Sequence, residues 1–116
     1  MTASHSYPKA VRLRRRADFL AVQREGRRRH SEHLVIIRRA APGPCSRLGV
    51  TVSKRVGNAV VRSRVKRLLR EVFRARRGDI EPPADVVVIA KPGADTLTYA
   101  QAATEFVRAL ELSADE

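Results

Sequence analysis

Two short runs, Leu34-Val35-Ile36-Ile37 and Val86-Val87-Val88-Ile89, constrain the fold of this chain more than any other feature of its sequence. Their β-branched content marks them as strands, and the second is framed by Pro82-Pro83 and Pro92-Gly93. Neighbouring side chains on a strand point to opposite faces of a sheet. A run that is apolar at both alternations therefore requires cover on both sides, or leaves one face as an apolar groove. Leu48-Gly49-Val50-Thr51-Val52 is a third strand, separated from the first by the turn signals Pro42-Gly43-Pro44, and these two read as a hairpin.

Three segments have the periodicity of covering helices. Arg16 to Glu25 carries Phe19, Leu20 and Val22, with Gly26 as its stop. The longest runs from Asn58, a natural N-cap, to about Arg77, where Gly78 ends it. Tyr99 to Leu112 carries Ala102, Ala103, Phe106, Val107 and Leu110 at helical spacing. With one further strand expected in Arg27 to Ser31, the order becomes αβββαβα. A length of 116 residues suits one domain, 1–116, ordered over about residues 8–112 between a short polar leader and the acidic end Ser113-Ala114-Asp115-Glu116.

Charge narrows the function. The formal charge is +12, and of the 24 Lys and Arg residues only Lys91 and Arg108 follow Gly78. Of the 12 acidic residues, only Asp18, Glu25, Glu32 and Glu71 precede it. So lopsided a field stores self-repulsion that a polyanion relieves by exchanging condensed counterions for Lys and Arg contacts. RNA, DNA or an anionic membrane could serve. A spanning helix is excluded, because no apolar run approaches the ~20 residues it needs. Met1 to Ala10 has no signal-peptide core, so a cytoplasmic location is expected. Cys45 is the only cysteine, which excludes an intrachain disulfide and a multi-Cys zinc site.

The long helix concentrates the charge. Val61, Val65, Leu68, Leu69 and Val72 fall in one arc at 3.6-residue periodicity and face the core. Lys66, Arg67, Arg70, Arg74 and Arg77 lie opposite, with Arg62 and Arg64 at the borders of the apolar stripe. Like charges three and four residues apart repel by a few tenths of a kcal/mol, roughly, per pair, and Glu71 is the only acid in the segment. Arginine's planar fork suits paired phosphate oxygens better than lysine's point charge. This face is read as a polyanion-binding surface.

The block Leu48-Gly49-Val50-Thr51-Val52-Ser53-Lys54-Arg55-Val56-Gly57-Asn58-Ala59-Val60-Val61-Arg62-Ser63-Arg64-Val65-Lys66-Arg67-Leu68-Leu69-Arg70-Glu71 resembles the signature of bacterial ribonuclease P proteins. The resemblance extends to Arg12-Leu13, Asp18-Phe19, Val22 and Gly26, and to Asp85-Val86-Val87-Val88. It implies an α+β sandwich with a left-handed βαβ crossover, shared with a ribosomal-protein domain. It also implies two RNA-facing surfaces: the basic helix, beside the catalytic RNA, and a groove on the sheet that takes the single-stranded 5′ leader of precursor tRNA. Phe19 matches the aromatic of that groove. The RNA-binding residues so implied are Arg12, Phe19, Lys54, Arg55, Asn58, Arg62, Ser63, Arg64, Lys66, Arg67, Arg70 and Arg74. Two positions depart from the family pattern: Ser63 stands where Asn is usual between the arginines, and Gln23 where a second aromatic often follows Val22. Stacking would then fall to Phe19, supplemented by strand residues such as Val35 or Ile37.

No Gly-rich phosphate loop, nucleophile elbow or paired-carboxylate motif is present. His30, Glu32 and His33 could suggest a metal site or a nuclease acid/base pair, but such a site normally needs three or four protein ligands, and no clustered partner is evident in the sequence. The resemblance implies an accessory subunit instead: the RNA supplies the active site and its Mg²⁺, no metal is bound tightly by the protein, and no catalytic residue or obligate protein partner is expected. A general RNA- or ribosome-binding module of the same fold and a free-standing nuclease using His30, Glu32 and His33 are the other two readings.

Overall fold

The computed structural model describes residues 12–112, apart from residue 14. The expected polar leader, the acidic end 113–116 and Arg14 lie outside the described residues. The elements are α1 (Arg16–Glu25), β1 (Arg27–His30), β2 (Leu34–Ala40), β3 (Arg47–Val52), α2 (Ala59–Arg76), β4 (Ala84–Ala90) and α3 (Tyr99–Leu110), with short 3-10 turns at Arg77–Asp79 and Ala94–Thr96. This is the expected αβββαβα order, further strand included. Asn58 caps α2 by accepting from the Val61 amide at 3.0 Å. Thr98 and Gln101 form a reciprocal capping box that starts α3. That helix ends at Leu110, short of the expected Leu112, because Glu111 turns left-handed (φ 57°) and the Leu112 amide reaches back to the Val107 carbonyl.

The four strands form one sheet in the order β1-β2-β4-β3. This corrects the expected pairing of the second and third strands. β2 pairs antiparallel with β1 and with β4, whereas β3 pairs parallel with β4. The hairpin is therefore β1–β2, and β4 lies between β2 and β3. The physical reason is burial: β4 is the strand with the longest apolar run on both alternations, so it takes an interior position and leaves the edges to Arg27–His30, fully exposed, and to β3. The link from β2 to β3 straddles the entry of β4, through Ala41 N–H to the Pro83 carbonyl and Ala84 N–H to Ser46 Oγ, both at 3.0 Å. The outer edge of β3 is itself partly covered, since Leu13 N–H donates to the Leu48 carbonyl at 2.9 Å.

The sheet has two apolar faces, as the strand pattern required. Leu34, Ile36, Leu48, Val86 and Val88 face α2 and α3, where Phe73 and Phe106 meet edge to face with ring centroids 6.4 Å apart. Val35, Ile37 and Val87 face α1, with Leu13 and Val22 completing a smaller cluster. No helix among the described residues is long and apolar enough to cross a membrane.

Candidate RNA-binding surfaces

The wheel of α2 is realised in space: Val65, Leu69, Val72 and Phe73 are buried, and Val61 and Leu68 pack partly against the same core. Ser63, Arg64, Arg67 and Arg70 are exposed on the other side, and Arg62, Lys66 and Arg74 are half-buried. Arg12, Ser63, Lys66, Arg67, Arg70 and Glu71 line one shallow depression. Several of the expected contact residues are engaged within the chain. Arg62 Nε donates to the Gly57 carbonyl at 3.2 Å, Arg64 donates to the Asp95 carbonyl, and Arg74 pairs with Glu71. Lys54 and Arg55 are exposed in the loop that precedes Asn58, whose position is held by the buried Val56. Asn58 spends its side-chain oxygen on the cap.

On the α1 face, strand register sorts the side chains into rows. Arg28, Ile37, Val87 and Gly49 are cross-strand neighbours, and this row is the one α1 covers. Phe19, half-buried, lies directly on Gly49, where a Cβ would stand 2.4 Å from the ring. The next row, His30, Val35, Ile89 and Thr51, shares the face but is less covered. His30 and Thr51 are exposed and Ile89 is half-buried, which leaves an open strip of sheet beside α1. Ile37 is fully buried under the helix, so of the two strand residues expected to supplement Phe19 only Val35 borders the strip. Ile89, which the sequence reading missed, borders it too. Its alternation with Val88 was visible in the sequence, but only the pairing partners say which face is open.

The α2 face meets the Phe19 end of the α1 face. Arg12 and Arg70 line the α2 depression and also the cleft formed with Leu13, Phe19, Leu48, Gly49 and Val50 at the β3 edge. At the base of α1, Arg47 sits on Asp85 through two hydrogen bonds of 2.9 and 2.7 Å. Hydrogen bonding to Asp85 outweighs the cost of burial and, with the charges of Asp85 and Asp18, raises the Arg47 guanidinium further above its ordinary pKa.

The histidines divide. His30 stands on the open row, while His33 is buried and its Nδ1 lies 2.5 Å from Glu105 Oε2 of α3. Among the described residues, Glu32, His33 and Glu105 bring ligand atoms within 4.8 Å of one another, a grouping that could hold a cation. His33 and Glu105 already satisfy each other, however, and the second Glu105 oxygen accepts from Ser31 Oγ (2.5 Å) and from the His33 amide (3.0 Å). Burial pushes the Glu105 carboxyl up, but these donors together hold it below the usual carboxylate range. The group ties the hairpin turn to α3. Its third member escaped the sequence reading because it lies 72 residues from His33.

Comparison with known proteins decides the family. Residues 7–112 match the Ribonuclease P family. The chain belongs to that family. It is 46% identical over 104 residues to the ribonuclease P protein component of Desulfovibrio desulfuricans, covering 86% of this chain and 80% of that one. Over 109 residues it is 42% identical to the component of a Geobacter species, covering 94% and 92%. Among solved structures, the ribonuclease P protein of Staphylococcus aureus superposes with a TM-score of 0.79 at 32% identity, covering 89% of this chain and 94% of that chain. The protein from Thermotoga maritima gives 0.77 at 30% identity, covering 89% and 98%. The chain is thus a protein subunit of ribonuclease P, a tRNA-processing ribonuclease, and the mixed α+β fold with one four-stranded sheet is the fold of that family.

Proposed function

We propose that this subunit binds the catalytic RNA of ribonuclease P along α2 and the 5′ leader of precursor tRNA along the open strip beside α1. The observation that carries the reading is the shared border at Arg12 and Arg70, which joins the basic helix face to the cleft in which Phe19 lies over Gly49, one row from the open strip. Phosphates of the catalytic RNA meet Lys66, Arg67 and Arg70, with Lys54, Arg55, Arg62, Arg64 and Arg74 extending the contact, the engaged arginines exchanging internal partners for phosphate oxygens. Asn58 and Ser63 sit among these cations, and the shorter Ser63 hydroxyl offers one donor where an amide would offer two. A leader base stacks on Phe19, whose neighbours Val35 and Ile89 supply apolar floor without reading sequence.

In this reading the reaction is hydrolysis of one phosphodiester bond, releasing the leader and the mature tRNA 5′ end, and the catalytic RNA supplies both the active site and the divalent ions. The protein screens phosphate repulsion and holds the leader, in the cytoplasm and without an obligate protein partner. Purified protein is mixed with precursor tRNA alone and with ribonuclease P RNA at low Mg²⁺. Cleavage is expected only with the RNA, and faster with protein than without it. Cleavage by the protein alone, or no acceleration of the RNA, would overturn the proposal.

A further inference from the structure

β3 meets α1 at two points, and on the helix those points are consecutive residues. Arg47 and Gly49 are two apart on β3 and so share a face. Opposite them stand Asp18 and Phe19. The Phe19 ring rests on Gly49, and Arg47 Nη1 reaches Asp18 Oδ2 at 3.7 Å. The other two nitrogens of Arg47 are taken by Asp85, its cross-strand neighbour on β4, which is 2% exposed. A carboxylate that grips a guanidinium at two atoms fixes the plane of the fork, so the remaining nitrogen is aimed.

α1 needs such a hold. Val22 is its only fully buried residue, so packing alone defines the rotation of the helix weakly. Its N-terminus has no side-chain cap, Arg15 offering none, and Asp18 is the acid of the first turn. The Asp85–Arg47–Asp18 chain supplies at the start of α1 the constraint that packing and capping do not.

We propose that Arg47 is a positioning residue for leader binding: clamped by Asp85, it holds Asp18 and thereby sets the turn of α1 that lays Phe19 over Gly49. The inference rests on the leader-binding reading above. It also explains why Arg47 and Gly49 belong together, the first holding the helix and the second admitting the ring.

The test uses the protein assembled with ribonuclease P RNA and compares affinity for leader-bearing and mature tRNA. Asp18→Asn keeps the size of a partly exposed side chain and is expected to lower precursor affinity about two- to fivefold, the range of a single exposed ion pair, with mature tRNA unchanged. In a Phe19→Ala background the same change should have no further effect, because Asp18 acts through that ring. In parallel, fluorine NMR of the free protein labelled with 4-fluorophenylalanine follows the Phe19 resonance, assigned by its loss in Phe19→Ala. Asp18→Asn should shift it and leave the Phe73 and Phe106 resonances in place. An unmoved Phe19 resonance, equal losses for both tRNAs, or a further loss in the Phe19→Ala background would overturn the inference. If Phe19→Ala itself spares leader-bearing tRNA, the groove reading falls and takes the functional part of the proposal with it, while a shifted resonance would still establish the placement of the ring.

Discussion

The two faces of the sheet are built from the same strands and end differently. Toward α2 and α3, helices of 18 and 12 residues close over Leu34, Ile36, Val86 and Val88. Toward α1, a helix of 10 residues covers the row through Ile37 and Val87 and leaves the row through Val35 and Ile89 partly open. Strands apolar on both alternations demanded cover on both sides, and the supply of helix runs out on one of them. What remains is a strip in which Val35 and the half-buried Ile89 lie between the exposed His30 and Thr51, beside the row on which Phe19 rests over Gly49; apolar and aromatic groups at an open face are what unpaired bases stack on.

If the α2–α3 face is the stability core, removing its largest side chain should be the most damaging change. Phe73→Ala leaves a cavity where two rings met and is expected to cost about 3–5 kcal/mol in denaturant unfolding. A loss under 1 kcal/mol would show that the two faces are not divided in this way. Glu105 comes next, because it links the hairpin turn to α3 through Ser31 and His33. Glu105→Gln should cost about 1.5–3 kcal/mol near neutral pH, as hydrogen bonds to a charged group do. The folded state holds this carboxyl below its unfolded pKa. Its contribution is therefore complete above the unfolded value and disappears as pH falls through the folded one, so the gap between wild type and variant should close on acidification. A gap that does not change with pH would mean that the charge is not what stabilises the tie. Ile89→Ala, on the open row, should cost about 1 kcal/mol or less, far below Phe73→Ala; a comparable loss would mean that the strip is closed in solution.

Much of this was legible in the sequence. Gly26 and Asn58 mark helix limits by local chemistry, and the charged face of α2 follows from spacing alone, so these survive contact with the structure. The strand order does not follow, because alternation states that a strand is buried on both sides without naming its neighbours. Val86 to Ile89 was readable as buried, but not as the strand that separates β2 from β3. The same gap explains the misplacement of Ile37: both alternations of β2 are apolar, and only the position of α1 shows which residue it seals. Long-range polar partners are likewise invisible to spacing, as His33 with Glu105 and Arg47 with Asp85 and Asp18 demonstrate. In the candidate RNA surface, the density of cations was plain, whereas the engagement of Arg62 by Gly57 and of Arg64 by Asp95 depends on how the flanking segments fold against α2.

The most direct test of two joined surfaces with separate tasks is the affinity of the assembled ribonuclease P for leader-bearing and mature tRNA, measured beside the salt dependence of protein binding to the catalytic RNA. Phe19→Ala should weaken leader-bearing tRNA by about 1–3 kcal/mol and spare mature tRNA, with no change in the salt slope for the catalytic RNA. Replacing Lys66, Arg67 and Arg70 by Gln should lower that slope by roughly 0.7–0.9 per lost phosphate contact. A Phe19 variant that weakens both tRNAs equally, or a triple variant with an unchanged slope, would contradict the account.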